Sequence, residues 1–421
     1  MSEPIKAPNA TLDWYAPRIA LRQRVAEVAV ETFERAGFRQ IVTPVFEETR
    51  LFARTSGESS DVVQKEMYSF RDRSDRELTL RPEGTAPVVR AYLEHGLARE
   101  PQPVKLWYFT PMYRYARAQR GRYREHWQFG VEVLGSDDPA VDAEIIALQH
   151  AWYEALGLQG VVLKLNSIGD HTCRPAYRER LIAWMRARAD ALSEESMARL
   201  ELNPMRVFDS KDAGDQRAIA GGPGAEAAPL ITDHLCDGCR THFAAVCSLL
   251  DARAVSYELD PGLVRGLDYY ERTAWEFVRA DLGGQSAISG GGRYDGLAEQ
   301  IGGRRVPGVG FGCGSERIVL TLEDQGVEID DRTTQWFCAI DEPAAVPELH
   351  AALDRARALG IACEADLMGR SLKGQLKHAE RLRATVVTVC TPESWARGSV
   401  RIGEQEVAVA GLENEIGRRI A

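Results

Sequence analysis

The sequence contains no long apolar run, no apolar leader and few cysteines. No stretch approaches the roughly 20 consecutive apolar residues that a membrane-spanning helix needs, and the N-terminal Met1-Ser-Glu-Pro-Ile-Lys-Ala-Pro8 lacks the apolar core of a signal peptide. Eight cysteines are scattered over 421 residues, a pattern typical of reduced thiols. We therefore expect a cytoplasmic protein that has no membrane as a partner.

Positive charge is also in short supply. The chain has 52 Lys and Arg residues against 62 Asp and Glu, and its net charge of -10 argues against indiscriminate coating of nucleic acid. Local clusters of charge decide nucleic-acid binding, so a specific nucleic-acid partner is not excluded. With 44% hydrophobic and 27% charged residues, the composition is that of a globular protein with about two or three domains.

One positive cluster alternates with aromatic residues. Its arginines are Arg114, Arg117, Arg120, Arg122 and Arg124, and its aromatic residues are Tyr113, Tyr115, Tyr123 and Trp127. A bare run of charges is most often a solvated surface. Aromatic faces beside guanidinium groups suit stacking on a base and binding of phosphates, so the alternation favours a functional segment.

The N-terminal region predicts a helix followed by a strand. Gly37 follows a helical periodicity as a C-cap, and the apolar face consists of Val25, Val28, Ala29, Thr32, Phe33 and Ala36. The segment 41–46 predicts a strand, and Pro44 within it favours an edge or an interface. A core helix beside an edge strand and a subunit interface are both open at this point.

The middle of the chain predicts a strand pair and then a helical insertion. Residues 105–109 and 129–134 flank the arginine-rich segment and predict two antiparallel strands joined by a long basic loop. A further strand is predicted at 161–165. Residues 169–254 are charged and alanine-rich, which predicts an inserted module with helices at 177–192 and 240–250.

The C-terminal part predicts a separate α/β domain. Strands at 273–278 and 286–289 and a buried helix at 317–323 precede the polar stretch 323–334. Strands then alternate with helices, which indicates a small, mostly parallel sheet covered by helices. The predicted strands are 336–340, 361–366 and 385–390, and the predicted helices are 346–360 and 372–383.

Five motifs together resemble the histidyl-tRNA synthetases, a class II family. They are Thr79-Leu-Arg-Pro-Glu-Gly-Thr85, Gly121-Arg-Tyr-Arg-Glu125, Leu263-Val-Arg-Gly-Leu-Asp-Tyr-Tyr270, Gly291-Gly-Arg-Tyr-Asp-Gly296 and Gly310-Phe-Gly-Cys-Gly-Ser-Glu-Arg317. The order is that of the family, and the resemblance extends from about Gln40 to the C-terminus. It implies an α/β multidomain fold. A class II antiparallel sheet flanked by helices would occupy 1–325, with a helical insertion at about 170–254, and an anticodon-binding α/β domain with a mixed sheet would occupy 333–421.

The resemblance implies that L-histidine is activated with ATP and transferred to the 3′ end of tRNA(His). Two anions approach in such a reaction, so cations must face the phosphate. The resemblance assigns catalysis to Arg114 and Arg265, and ATP binding to Arg114, Arg122, His126, Glu316 and Arg317. No catalytic base is needed, because the ionised carboxylate is itself the nucleophile. Mg²⁺ would bridge the phosphates of ATP, with Glu316 as a candidate ligand.

The resemblance also implies residues for histidine and for tRNA. The histidine-binding positions are Glu83, Thr85, Gln128, Glu132, Tyr269, Tyr270 and Tyr294, of which Glu83, Thr85 and Gln128 match the amino-group site and Glu132, Tyr270 and Tyr294 the imidazole site. From the residues alone, the aromatic ones could equally pack in a core. Gln119 and Arg124 match the loop that approaches the acceptor end of tRNA. The helix–strand pair around Pro44 matches the interface of a homodimer.

Two single positions and one dipeptide depart from the family pattern. Ala116 stands where an acidic residue is common, and His126 where a phenylalanine often stacks on adenine. Asn9-Ala10 replaces a common Arg-Gly. The first two departures bear on how ATP is bound, whereas the histidine motif is untouched.

The pair Cys236-x-x-Cys239 suggests a zinc site. His234 and His242 are close to it in sequence, and Cys173 lies upstream. A closed structural zinc site needs four ligands, and a second well-spaced pair is missing. We therefore favour plain thiols or a degenerate site and predict no resident metal ion at these residues.

Two other functions compete with the synthetase. One is a non-catalytic paralogue, the regulatory subunit of ATP phosphoribosyltransferase in histidine biosynthesis, which generally lacks the anticodon-binding domain. The other is a tRNA-binding or regulatory protein that binds histidine without activating it. Retention of Arg114, Arg265 and Arg317 and of the C-terminal domain favours the active ligase.

Overall fold

The structure is a computed structural model that describes residues 4–55, 62–117, 119–222, 225–279, 287–329 and 334–420. The chain divides into two compact units, Met1–Glu328 and Ile329–Ala421. Within the described ranges, no helix is long and apolar enough to cross a membrane. Ser286, the first residue of the strand predicted at 286–289, and residue 333, the predicted start of the C-terminal domain, lie outside the described residues.

The first unit is built on an eight-stranded sheet and a small three-stranded one. Its strands are β1 (Arg39–Gln40), β2 (Phe46–Glu48), β3 (Tyr68–Arg71), β4 (Glu77–Leu80), β5 (Val104–Tyr113), β6 (Glu125–Leu134), β7 (Val161–Ser167), β8 (Glu258–Leu259), β9 (Glu271–Arg279), β10 (Ala287–Arg293) and β11 (Gly308–Gly314). The large sheet has the order β1-β5-β6-β11-β10-β9-β7-β8, and the small one β2-β4-β3. Only the outermost pairs of the large sheet, β1–β5 and β7–β8, are parallel.

Helices flank these sheets. They are α1 (Arg18–Arg35), α2 (Thr49–Thr55), α3 (Thr85–Glu94), α4 (Pro139–Ala155), α5 (Arg174–Arg186), α6 (Glu194–Ala198), α7 (Ala213–Ala220), α8 (Asp237–Ala252), α9 (Leu297–Ile301) and α10 (Ser315–Asp324). Short 3-10 turns occur at Leu97–Arg99, Ala189–Ala191, Pro204–Asp209 and Ile231–His234, and a π turn at Val62–Glu66. The predicted class of fold, a largely antiparallel sheet with flanking helices, is confirmed.

The predicted antiparallel pair around the arginine-rich segment is confirmed and is longer than predicted. β5 and β6 pair from Val104↔Leu134 to Tyr113↔Glu125. The basic loop between them is correspondingly shorter than the sequence pattern indicated. β6 therefore places Gln128 and Glu132 between β5 and β11, inside the large sheet.

The strand predicted at 41–46 is wrong. Only the flanking β1 and β2 are strands. The carbonyl groups between them bond to the buried guanidinium of Arg81, whose Nη1 lies 2.7 Å from Thr43 O and 3.1 Å from Pro44 O. The side chain of Arg81, about forty positions downstream, thus takes the place of a neighbouring strand as the hydrogen-bond donor. A local sequence pattern cannot indicate such a distant partner.

A buried ion-pair network fixes α4 to the sheet. Arg293 at the end of β10 has no exposed side-chain surface and pairs with Asp142 of α4 and, at 2.9 Å, with Asp295. Thr273 of β9 donates to Asp142 at 2.6 Å. Each buried charge is paired and hydrogen-bonded, which is the condition under which an interior tolerates it.

The predicted helical insertion is present between β7 and β8, with changed bounds. The helix predicted at 177–192 starts earlier and ends at Arg186, and the one predicted at 240–250 runs over Asp237–Ala252. Its core packs α5 against the segments that follow it through residues such as Tyr177, Leu181, Met185 and Ile231, with Cys239 at the start of α8 at its border. The insertion therefore has a small hydrophobic core of its own.

The second unit is an α/β domain with a mixed sheet. Its strands are β12 (Trp336–Ile340), β13 (Cys363–Ala365), β14 (Val386–Cys390), β15 (Ser399–Ile402) and β16 (Gln405–Ala408), and its helices are α11 (Val346–Ala358), α12 (Leu372–Arg381), α13 (Pro392–Ala396) and α14 (Leu412–Ile420), with a 3-10 turn at Pro343–Ala345. The order is β13-β12-β14-β15-β16, parallel as far as β14 and antiparallel beyond. The strand predicted at 336–340 is confirmed, whereas the sequence pattern missed the β15–β16 hairpin and α14.

Candidate active site

A cleft of about 320 Å³ lies over the central strands of the large sheet. The structure brings eleven of the predicted site residues to its wall: Glu83, Thr85, Arg114, Arg122, His126, Gln128, Arg265, Tyr269, Tyr270, Glu316 and Arg317. They come from segments as distant in sequence as the start of α3 and the start of α10. The wall thus joins the five sequence motifs, or residues next to them, in one place.

Three half-buried arginines face this cleft. Arg114 is held by a 2.7 Å hydrogen bond from its Nε to Pro82 O. Arg265 pairs through Nη1 with the carboxylate of Glu276 and lies over the ring of Tyr270, 5.5 Å from its centroid. Arg317 donates through Nη1 to Ala287 O. Guanidinium groups fixed in this way present positive charge to an anionic ligand without a large cost in reorganisation.

Missing side chains on the sheet make room for these groups. A Cβ atom at Gly290 would lie closer than 3.0 Å to the guanidinium of Arg265, and one at Gly310 would lie closer than 3.0 Å to the carboxyl group of Glu132. The space that a side chain at Gly310 would need is thus filled by a side chain of the neighbouring strand β6.

Glu83 caps α3 from inside the cleft. Its carboxylate accepts the backbone N–H groups of Thr85 at 2.7 Å and of Ala86 at 3.0 Å, the first donors of the helix. Burial raises the pKa of this carboxyl above its ordinary value, against the opposing effect of those two bonds. The result is an acceptor of fixed position in a largely dehydrated place.

Glu132 and Tyr294 lie behind the wall rather than on it. Glu132 is fully buried and accepts hydrogen bonds from Thr85 Oγ1 at 2.7 Å, Tyr108 OH at 3.3 Å and Tyr294 OH. Burial raises the pKa of Glu132 to about 8. Its carboxyl group therefore carries a proton at neutral pH, and Thr85 connects it to the cleft.

His126 and Glu316 occupy the other side of the cleft. Burial, with the charges of Arg114 and Arg317, lowers the pKa of His126 to about 3, so its imidazole is neutral. Glu316 accepts the Trp127 N–H at 2.8 Å through Oε1, while its buried Oε2 has no hydrogen-bond partner. Burial raises the pKa of Glu316 to about 7.

The predicted tRNA residues Gln119 and Arg124 do not line the cleft. They lie on the β5–β6 loop, where Gln119 forms an isolated bridge with Arg122. The Arg124 guanidinium stacks over the ring of Tyr115, with its Cζ 3.8 Å from the ring centroid. The backbone N–H of Arg124 donates to Ala10 O at 2.7 Å. The alternating arginines and aromatics thus stack on one another at this point of the loop.

Sequence reasoning missed two carboxylates on the wall, Glu66 and Glu276. An acidic residue inside the apolar run 274–278 was a signal for Glu276. Glu66 carried no signal in the sequence. Its carbonyl accepts the Tyr115 N–H at 2.7 Å, which brings it beside Ala116, where the resemblance expects an acidic side chain.

Comparison with known proteins is consistent with these motifs. The family model described as Histidyl-tRNA synthetase matches residues 11–318. The Histidine--tRNA ligase of Moorella thermoacetica is 45% identical, with 97% of this chain and 95% of the relative covered. That of Corynebacterium efficiens is 44% identical, with 100% and 97% covered. The crystal structure of apo S. aureus histidyl-tRNA synthetase has a TM-score of 0.81 and 33% identity, covering 98% of this chain and 100% of that chain.

Proposed function

This chain belongs to the histidyl-tRNA synthetase family, and from that membership and the cleft we infer that it is a class II histidine–tRNA ligase. It activates L-histidine with ATP to histidyl-adenylate and transfers the histidyl group to the 3′ end of tRNA(His), releasing AMP and pyrophosphate. We place this reaction in the cytoplasm.

The observation that carries this function is the convergence of Arg114, Arg265 and Arg317 on one cleft that Glu83 also lines. Adenylation brings the carboxylate of histidine to the α-phosphate of ATP, and both are anions. We assign Arg114 and Arg265 to the charge that develops on the α-phosphate, and Arg317 to the nucleotide. Fixed cations stabilise that charge more in the transition state than in the ground state.

Two carboxyl groups serve the cationic and ring ends of histidine in this proposal. Glu83, Thr85 and Gln128 accept from the α-amino group. Tyr270 on the cleft wall contacts the imidazole in this proposal. Glu132, which holds a proton at neutral pH, and its partner Tyr294 support that contact from behind the wall, and Thr85 links them to the cleft. Sites that hydrogen-bond a polar ring reject apolar isosteres strongly, because the buried partners would be left unpaired.

The nucleotide occupies the side of the cleft formed by His126, Arg122 and Glu316. We place adenine against the neutral imidazole of His126. The Mg²⁺ that accompanies ATP would be held by phosphate oxygens and by the partnerless Oε2 of Glu316, since Mg²⁺ sites of this kind use few carboxylates. When bound, it supplies positive charge to the phosphates. Glu66 supplies the carboxylate that the family commonly has at the position of Ala116.

The tRNA contacts fall to two surfaces. Gln119 and Arg124 on the β5–β6 loop receive the acceptor end, where a guanidinium already stacks on an aromatic ring. In the second unit, the exposed Lys373 and Lys377 on one face of α12, with the exposed Met368 preceding it, suit an RNA loop with unstacked bases. We therefore assign anticodon binding to that unit.

A homodimer is the proposed assembly. Val42, Val45 and Phe46 are 71%, 39% and 50% exposed around Pro44, so an apolar strip is presented to solvent. Such a strip is typical of an association surface. Its continuity with the segment that the family uses for its interface supports a dimer through this face.

Histidine-dependent exchange of pyrophosphate into ATP tests the function. The full chain is assayed with histidine and, separately, with each other amino acid as a control. Exchange with histidine alone, followed by charging of tRNA(His), is the expected result. A folded chain that binds histidine but catalyses no exchange would overturn the ligase and favour the regulatory paralogue.

A further inference from the structure

Three cysteines and one aspartate meet in the helical insertion, away from the active-site cleft. Asp170, Cys173, Cys236 and Cys239 each offer one ligand atom, and these four atoms all lie within 4.8 Å of one another. Cys173, Cys239 and Asp170 are buried, and Cys236 is half-buried. The cluster comes from two segments that the chain separates by more than sixty residues, so only the fold brings it together.

The distances between the ligand atoms are compatible with tetrahedral coordination of one metal ion. A tetrahedral zinc ion with Zn–S bonds of about 2.3 Å separates its ligand sulfurs by roughly 3.8 Å. Here Cys173 Sγ lies 3.9 Å from Cys239 Sγ and 3.7 Å from Asp170 Oδ1, and Cys236 Sγ lies 3.9 Å from Asp170 Oδ1. We propose that Asp170, Cys173, Cys236 and Cys239 bind one structural Zn²⁺ ion.

The backbone around the cluster is shaped for these ligands. Cys173 is the N-cap of α5 and Cys236 the N-cap of α8, so two helix N-termini face the cluster and favour thiolates there. Gly169 has φ +65, and a Cβ atom there would lie 2.7 Å from Cys173 Sγ. The Asp170 N–H points at the same sulfur at 3.3 Å.

A cation offsets the negative charge of this ligand set. Three thiolates and a carboxylate around Zn²⁺ leave a net charge of about −2. Arg272 Nε lies 3.5 Å from Asp170 Oδ2, and it is a buried atom with no hydrogen-bond partner. The backbone N–H of Arg272 donates to Gly169 O at 2.7 Å. This bond fixes the main chain of Arg272 to the loop that carries Asp170.

The two histidines near the Cys-x-x-Cys pair in sequence are not part of the cluster. His242 faces Asp142, with 3.5 Å between Nε2 and Oδ2, and His234 packs 5.8 Å from the ring of Tyr177. The fourth ligand is instead an aspartate, which a search for cysteine and histidine spacing passes over. This is why the sequence pattern fell one ligand short.

Metal content is the first test of the proposal. The full-length protein is purified under reducing conditions, incubated with Zn²⁺, freed of excess metal and measured for zinc by mass spectrometry. We expect about one zinc per chain. Substitution of Co²⁺ should give strong visible d–d bands and a near-ultraviolet sulfur-to-cobalt band, which report tetrahedral thiolate ligation. Neither readout depends on enzyme activity.

Variants locate the ion. Cys236→Ser and Asp170→Asn should lose most of the zinc, whereas Cys247→Ser is the matched control because it removes a thiol from the same helix α8 outside the cluster. Retention of zinc by the first two variants would refute the assignment. So would wild-type protein that takes up neither Zn²⁺ nor Co²⁺, or a Cys173–Cys239 disulfide in protein kept reduced. The wild-type cobalt spectrum decides the matter even if a variant fails to fold.

Discussion

Thr85 Oγ1 donates a 2.7 Å hydrogen bond to Oε1 of Glu132, joining the first turn of α3 to β6. Thr85 lines the cleft, whereas Glu132 is fully buried behind it. Thr85 therefore links the surface of the cleft to a carboxyl group that solvent does not reach. The protonation state of Glu132 consequently bears on the hydrogen bonding of a residue on the cleft wall.

Glu132→Gln should remove a pH dependence of stability. The folded carboxyl keeps its proton up to about pH 8, while the unfolded one loses it near its ordinary value of 4.5. The folded state thus binds one more proton between these values, and the wild-type free energy of unfolding falls relative to the variant as pH rises, by at most about 1.4 kcal/mol per pH unit. Urea unfolding of both proteins from pH 5 to 8 measures the difference. Parallel curves would contradict the raised pKa.

Arg265→Ala should reduce adenylation more than histidine binding. Loss of one fixed cation at a developing anion costs on the order of a hundredfold or more in kcat, while the KM for histidine should change far less. Pyrophosphate exchange at varied histidine concentration separates the two effects. Arg253→Ala, an exposed arginine at the end of α8, is the control and should behave as wild type. A raised KM with unchanged kcat would remove Arg265 from the transition state.

His126→Phe should tighten ATP binding. A phenyl ring stacks on adenine better than an imidazole by about 0.5–1 kcal/mol, which is roughly a two- to fivefold fall in the KM for ATP. The pKa of His126 is about 3, so the imidazole stays neutral and the wild-type KM for ATP should show no step from this group between pH 6 and pH 8. ATP titrations of pyrophosphate exchange at several pH values test both statements. A step near pH 6.5 that the variant lacks would place the pKa of His126 in its ordinary range.

Ala10→Gly should stabilise the protein. Ala10 has φ 62, the left-handed region in which a Cβ atom is strained. Glycine relieves that strain but loses more chain entropy, so we expect a gain of up to about 1 kcal/mol. Gly37 has φ +82 and open space around it. The opposite change, Gly37→Ala, should therefore lower the free energy of unfolding by about 1 kcal/mol through backbone strain alone. Equal thermal unfolding midpoints for both variants and wild type would disprove the argument.

Much of the fold was predictable because local patterns and the final contacts agree. β12 spans the apolar segment 336–340 that predicted it. α1 buries Val25, Val28, Ala29 and Phe33 as their spacing predicts. The segment 41–46 failed because its hydrogen-bond partner is Arg81, far along the chain. Periodicity describes neighbours in sequence and cannot register such a partner.

The candidate site was predictable to the extent that its residues stand in motifs. Motif residues such as Glu83, Arg265 and Arg317 are brought to one wall. Glu66 gained its position only from tertiary packing, and Glu276 stood out in the sequence only as an acidic residue inside an apolar run. Asp170 stands three residues before Cys173, but a search for cysteine and histidine ligands does not include an aspartate.

The paired positions Gly290–Arg265 and Gly310–Glu132 restrict how this cleft could have diversified. Any replacement of either glycine adds an atom closer than 3.0 Å to the facing guanidinium or carboxyl group, and alanine is the smallest replacement there is. A side chain at Gly290 would displace the guanidinium of Arg265 from its place beside Glu276, and one at Gly310 would also meet the backbone oxygen of Val131 at less than 3.0 Å. New ligand preferences on this sheet have to arise in the loops around it, where side chains can be exchanged without evicting a neighbour.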